Sequence, residues 1–187
     1  MSKIKYFFQF LFISIFFFIF KLIGIKNSRF CAGKIFSVIG PFFRSKKTLN
    51  SNLTKAFPKT TQVEKDMIIS KMWTNYGKIL AEYVFMKNFK VQDNFSDQVI
   101  IQNQEVLEKI KKHSEKVVFI SGHFNNFELM AQNIEKFGIN LAAIYRPLNN
   151  IFLNPMMEKI RKNYICKNQI KKGLAGTKEL LKRFKVG

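Results

Sequence analysis

The sequence predicts an α/β domain behind an N-terminal membrane-anchor helix. Three observations carry that expectation. Residues 6–20 read YFFQFLFISIFFFIF, an apolar run broken only by Gln9 and Ser14. Residues 117–121 read VVFIS, a short β-branched run of the kind that fills a buried parallel strand. Between it and a second apolar run at 141–145, Phe127, Met130, Ile134 and Phe137 recur at helical spacing. Strand, helix and strand in that order make a β-α-β unit.

The first run is the anchor. A bilayer span needs about 20 apolar residues. Residues 22–25 extend the run to that length, with Lys21 snorkelling to the interface. Residues 1–25 are therefore read as the anchor and residues 26–187 as the domain it carries. A secretory signal peptide shares the charged start and the apolar run, but no small-residue cleavage site follows. An interfacial helix is the other alternative. Lys3 and Lys5 precede the run, whereas Lys21, Lys26, Arg29 and Lys34 follow it closely. The larger cluster predicts that the rest of the chain lies on the cytoplasmic side.

Charge points the same way. The 187 residues carry 32 Lys and Arg against 12 Asp and Glu, a formal net charge of +20. No acid occurs before Glu64, while eleven basic residues do. An acid-free block beside an apolar segment fits an anionic membrane surface. Nucleic acid is the competing partner of any basic chain, but no nucleic-acid motif is present. Cys31 and Cys166 lie far apart without CxxC spacing, which argues against both a disulfide framework and a zinc site.

Further elements follow in order. Residues 28–43 are apolar with small residues and predict a second membrane-proximal helix ending near Pro41. Residues 44–52 are polar and lead to Pro58, a breaker. Thr61-Gln62-Val63-Glu64 has the capping-box pattern. Ile68, Met72, Tyr76, Ile79 and Tyr83 then predict a helix over 61–85. Helices are expected over 104–112, from 127 to a stop at Gly138, over 154–164 and over 177–185.

His123 and Glu128 form H-x-x-x-x-E. Five residues of continuous helix turn about 500°, which would part the two side chains. They converge only if His123 precedes the helix, in the turn after Ser121. There His123 would stand at the carboxyl end of a strand, where open α/β sheets place ligands. An imidazole titrates near neutrality and can take a proton from a hydroxyl. A carboxylate on its second nitrogen would fix the tautomer and stabilise the imidazolium. The bland alternative, which spacing alone favours, is a loop histidine and a surface acid.

Four segments change that balance. SGHFNNFEL around His123 and Glu128 resembles the H-x4-D/E block of the lipid A biosynthesis (lauroyl/myristoyl) acyltransferase family. SNLTKAFP, MWTNYGKILAEY and YRPLNN resemble three further blocks of that family, in the same order. The resemblance implies a glycerol-3-phosphate-acyltransferase-like α/β domain. It also implies acyl transfer from an acyl-acyl carrier protein to a hydroxyl of a lipid A precursor, at the inner membrane and facing the cytoplasm. By position His123 would be the general base and Glu128 its partner. Arg146 would bind phosphate or stabilise charge on the carbonyl oxygen, and Asn126 would contact substrate. For Arg146 a structural ion pair is the competing role. No metal and no cofactor are implied. The acidic carrier protein and the phosphorylated lipid both suit a basic chain. Competing readings are a lysophospholipid-type acyltransferase, whose acid is Asp, and a non-catalytic protein binding anionic lipid through its basic block.

Two departures stand out. The family's Gly-Asn-Trp core is Asn125-Asn126-Phe127 here, which matters if the turn needs positive φ; Asn tolerates that better than most residues. The chain also stops at LLKRFKVG, where family members continue with a further strand and a C-terminal half. An incomplete domain, from truncation or a split gene, is the expectation, and whether it acts alone stays open.

Overall fold

A computed structural model describes residues 2–91 and 99–186. It is mostly helical, with one small parallel sheet. The helices are α1 (Ser2–Ile39), α2 (Lys46–Ala56), α3 (Gln62–Glu82), α4 (Met86–Val91), α5 (Gln104–His113), α6 (Glu128–Lys136), α7 (Leu153–Tyr164) and α8 (Leu174–Val186). The strands are β1 (Ala142–Tyr145) and β2 (Asn168–Lys171), and 3-10 turns occupy Gly40–Phe43 and Tyr83–Phe85. The chain divides into two compact units, Phe16–Phe85 and Met1–Ile15 with Met86–Gly187.

The helical stretch Lys3–Phe43 is long and apolar enough to cross a membrane. It is not one straight rod. Gly24 has φ 75° and ψ 166°, so α1 is two helices joined at a kink. A kink frees carbonyls of the preceding turn. Ser28 Oγ lies 2.9 Å from the Phe20 carbonyl and 2.7 Å from that of Gly24, so its proton serves the freed acceptors.

In the unit Phe16–Phe85, α3 packs on the second half of α1 through missing side chains. A Cβ on Gly77 would stand 2.2 Å from the Ala32 carbonyl oxygen, and one on Gly40 would strike the Trp73 ring. Glu82, buried at the end of α3, accepts an ion pair from Arg29 Nε at 3.0 Å. Thr61 and Glu64 form the expected capping box, with Glu64 N–H donating to Thr61 Oγ1 and Thr61 N–H donating to Glu64 Oε2 at 2.8 Å. The Thr61 N–H and the Thr61 hydroxyl, which donates to the same Oε2 at 2.9 Å, hold the Glu64 carboxyl below its usual range. Helix α2 falls where a polar connection is expected. None of its residues is buried, and the sparse apolar positions Leu49 and Leu53 make its period hard to see.

In the other unit, β1 pairs with β2 in parallel, with Ala142 opposite Asn168 and Tyr145 opposite Lys171. Helix α7 makes the crossover, so the β-α-β unit of this chain is β1-α7-β2. The strand expected at 117–121 is not formed: these residues lie outside any sheet, with Val118 74% and Ile120 92% exposed. A strand exists only through a partner's hydrogen bonds, and among the described residues none is paired there. Strand β2, reading NQIK, carries a single apolar residue, which hides it from hydrophobic periodicity.

Ile110, Ile134, Met157, Ile165, Cys166 and Ile170 form part of this unit's core. Gln132 Nε2 donates to the carbonyls of Met86 (2.9 Å) and Tyr164 (2.6 Å), tying α6 to α4 and α7. Gly138 ends α6 with φ 83°, its N–H donating to the Glu135 carbonyl at 2.9 Å, as expected of a helix stop. Cys166 donates its thiol to the Leu141 carbonyl at 3.1 Å, and burial pushes its pKa up to about 11.

Candidate functional site

The candidate acid-base pair straddles the entry to α6. His123 lies in the loop before the helix, outside any regular element and exposed, and Glu128 is the first helical residue. His123 therefore precedes the helix, the arrangement that H-x-x-x-x-E requires. It does not stand at the carboxyl end of a strand, because no strand forms at 117–121. The turn between them is built by Asn125, whose φ is 48°. That is the left-handed region, which Asn tolerates better than most non-glycine residues. Phe127 N–H donates to the Asn125 carbonyl and Leu129 N–H to that of Asn126, both at 3.1 Å, closing the turn into the helix.

The two side chains meet different neighbours. The His123 ring stands on Phe127, with centroids 4.3 Å apart and planes at 57°. Glu128 is buried, and its Oε1 accepts from Arg161 Nε at 2.9 Å. A carboxylate in the first turn also faces the positive end of the helix dipole. Asn126 is buried beside it in sequence. Arg146 is exposed just past β1, so the arginine that meets Glu128 is Arg161.

Arg161 opens a longer polar strip that sequence reasoning missed. Its guanidinium carbon is 5.8 Å from the Tyr145 ring centroid, within cation-π range. Tyr145 donates its hydroxyl to Glu158 Oε1 at 2.6 Å. Asn154 Nδ2 donates to the same oxygen at 2.8 Å, and Lys171 Nζ lies 3.7 Å from it. Burial, then the Glu158 contact, pushes the Tyr145 hydroxyl up to about 12. The Tyr145 hydrogen bond leads the causes that hold Glu158 below the usual carboxylate range, with Asn154, Lys171 and Lys162 adding to it. Asn154, Glu158 and Arg161 stand at i, i+4 and i+7 of α7, a polar stripe that helical spacing could have revealed.

The same unit holds an apolar cleft of about 510 Å³. It opens between α5 and α6 and is lined by Ile100, Val106, Leu107, Phe119, Leu129 and Ile134 among others. Among the described residues, no group of three or more His, Cys, Asp or Glu is placed to hold a metal ion.

The whole chain, residues 1–187, matches the family model described as bacterial lipid A biosynthesis acyltransferase. The chain is 20% identical to lipid A biosynthesis acyltransferase 2 of Shigella flexneri over 123 residues, 65% of this chain and 38% of that protein. It is 20% identical to the lipid A biosynthesis myristoyltransferase of Escherichia coli (strain K12) over 113 residues, 60% of this chain and 35% of that protein. The matched stretch thus spans little more than a third of these relatives' length. No solved structure matches significantly. A match over the full chain, with the four sequence blocks in order, fixes the affiliation: this protein belongs to the bacterial lipid A biosynthesis acyltransferase family.

Proposed function

We propose that this chain transfers a fatty acyl group from an acyl-acyl carrier protein to a hydroxyl of a lipid A precursor, at the cytoplasmic face of the bacterial inner membrane. Residues 1–25 anchor it. The remainder carries the acyltransferase machinery and belongs with glycerol-3-phosphate-acyltransferase-like domains. The observation that carries the reading is an exposed imidazole on the loop feeding α6, followed at the helix start by a carboxylate clamped in place by Arg161.

In the proposed step, His123 accepts the proton of the acceptor hydroxyl as its oxygen attacks the thioester carbonyl carbon. The carbon-sulfur bond then breaks, and the imidazolium returns the proton to the departing thiolate, leaving an ester and a free thiol. Glu128 would orient the imidazole and stabilise its charged form once the ring turns from Phe127 toward it. Arg161 acts one contact further out, as a positioning residue for Glu128. Arg146 and Asn126 serve the acceptor: Arg146 binds a phosphate or the developing oxyanion, where a donor can contribute on the order of 3 kcal/mol. The apolar cleft beside α6 supplies room for an aliphatic chain.

The test is acyl transfer by the purified full chain in lipid vesicles, with acyl-acyl carrier protein as donor. General-base catalysis contributes about 10²- to 10⁴-fold, so His123→Ala should lose at least 100-fold while still binding anionic vesicles. Equal turnover by the variant would refute the assignment of His123. Absence of turnover in the unaltered chain, with vesicle binding intact, would favour the non-catalytic lipid-binding reading.

A further inference from the structure

The loop 147–152 joins β1 to α7, immediately after Arg146. It presents Leu148, Ile151 and Phe152 to the surface, 42%, 52% and 36% exposed. Phe152 stands against the start of the anchor, its ring centroid 5.7 Å from that of Phe7 and 6.3 Å from that of Phe10. Phe7, Phe8 and Leu11 of α1 are themselves exposed, so the apolar surface of the helix runs on into the loop.

Part of this loop's polar backbone and the Asn150 side chain are answered by protein. Asn150 is buried, and its Nδ2 donates to the Tyr6 carbonyl at 2.9 Å and to Gln9 Oε1 at 3.1 Å. Its Oδ1 accepts from the N–H groups of Phe152 and Leu153, each at 3.0 Å. Leu148 N–H donates to Asn154 Oδ1 at 2.8 Å, and Asn154 N–H donates to the Asn150 carbonyl at 3.0 Å. Residue 147 is proline and brings no N–H. Hydrocarbon admits irregular backbone only where its polar groups are answered by protein. Gln9, one of two polar residues in the apolar run 6–20, is likewise answered by Asn150.

From this we infer that the loop 147–152 dips into the cytoplasmic leaflet beside the first half of α1, with Leu148, Ile151 and Phe152 in lipid. The exposed Asn149 stays at headgroup depth, and Asn150 is the clasp that holds the loop to the anchor. The loop carries Arg146 to the level of lipid phosphates, so an acceptor can be met without leaving the membrane. The inference rests on the first half of α1 lying in the cytoplasmic leaflet as an interfacial anchor, because a helix crossing the bilayer would carry residues 6–10 to its far side.

Depth-dependent quenching tests it on the full chain in phosphatidylethanolamine/phosphatidylglycerol vesicles. Single cysteines are placed by Ile151→Cys, Leu148→Cys, Leu11→Cys and Lys116→Cys in a Cys31→Ser background and labelled with an environment-sensitive fluorophore; the buried Cys166 is left in place. Nitroxide on the lipid acyl chain should quench the label at 151 and 148 at least half as strongly as at 11, and leave the label at 116 bright. Quenching at 11 but not at 151 or 148 would overturn the loop insertion and leave the anchor standing. Bright labels at all four positions would overturn both.

Discussion

Asn125 adopts φ 48° in the turn that presents Glu128, and its neighbours fix the rest of the site. The ion pair between Glu128 and Arg161 is mostly withdrawn from water, with side-chain exposures of 9% and 16%. Removing one partner of a buried pair leaves an uncompensated charge and typically costs about 3–5 kcal/mol. Arg161→Met should therefore lower unfolding free energy by about 3 kcal/mol in denaturant titration. Glu128→Gln in the same chain should restore much of the loss, because no charge then remains stranded. The Tyr145–Glu158 contact gives a pH dependence with two signs. Tyr145 is raised from 10.0 to about 12, so its contribution is full below pH 10 and fades between 10 and 12. Glu158 is lowered from 4.5, so its contribution is full above that value and fades as pH falls through its depressed pKa. Tyr145→Phe should flatten both limbs of a stability–pH curve; unchanged limbs would show that the contact carries no linkage. His123, Asn126, Glu128 and Arg146 were open to proposal from the sequence because they sit in sequence blocks. Arg161 and Glu158 were not, since Arg161 meets an acid 33 positions away and that meeting exists only once α7 packs against α6.

At the scale of elements, helices were the legible part. Thr61 with Glu64, and Gly138, announce their ends through local chemistry that needs no partner. Strands behave otherwise. VVFIS has strand composition and forms none, whereas NQIK lacks it and pairs with β1, because pairing depends on what lies alongside. The MWTNYGKILAEY segment acquires a structural reading: its glycine lets α3 touch α1, and its last acid, Glu82, holds Arg29. Gly77→Ala sets two effects against each other. Alanine favours a helix over glycine by up to about 1 kcal/mol. The added carbon would press on the Ala32 carbonyl, and overpacking of that kind costs about 1–3 kcal/mol. Backbone yields less readily than a side chain, so net destabilisation is expected; a raised melting temperature would contradict the close approach.

For the whole molecule, the two units bring different duties together. Phe16–Phe85 is helical and holds most of the acid-free stretch, whereas the other unit carries the sheet, the candidate pair and the start of the anchor. Between α5 and α6 the exposed Val118, Ile120 and Phe124 lie outside regular structure. Such segments are cut first. Chymotrypsin at low ratio should cleave next to Phe124 before any site within α3 or α7, as mass spectrometry of the early fragments would read. Protection there would mean that another chain or a further segment covers this stretch.

The setting of Cys166 narrows the chemistry. Burial pushes this thiol up to about 11, well above neutrality, which favours the protonated form. A sulfur so rarely ionised, and engaged with the Leu141 carbonyl, is a poor place to park an acyl group between donor and acceptor. Its place is in the core, and the proposed transfer assigns it no covalent role.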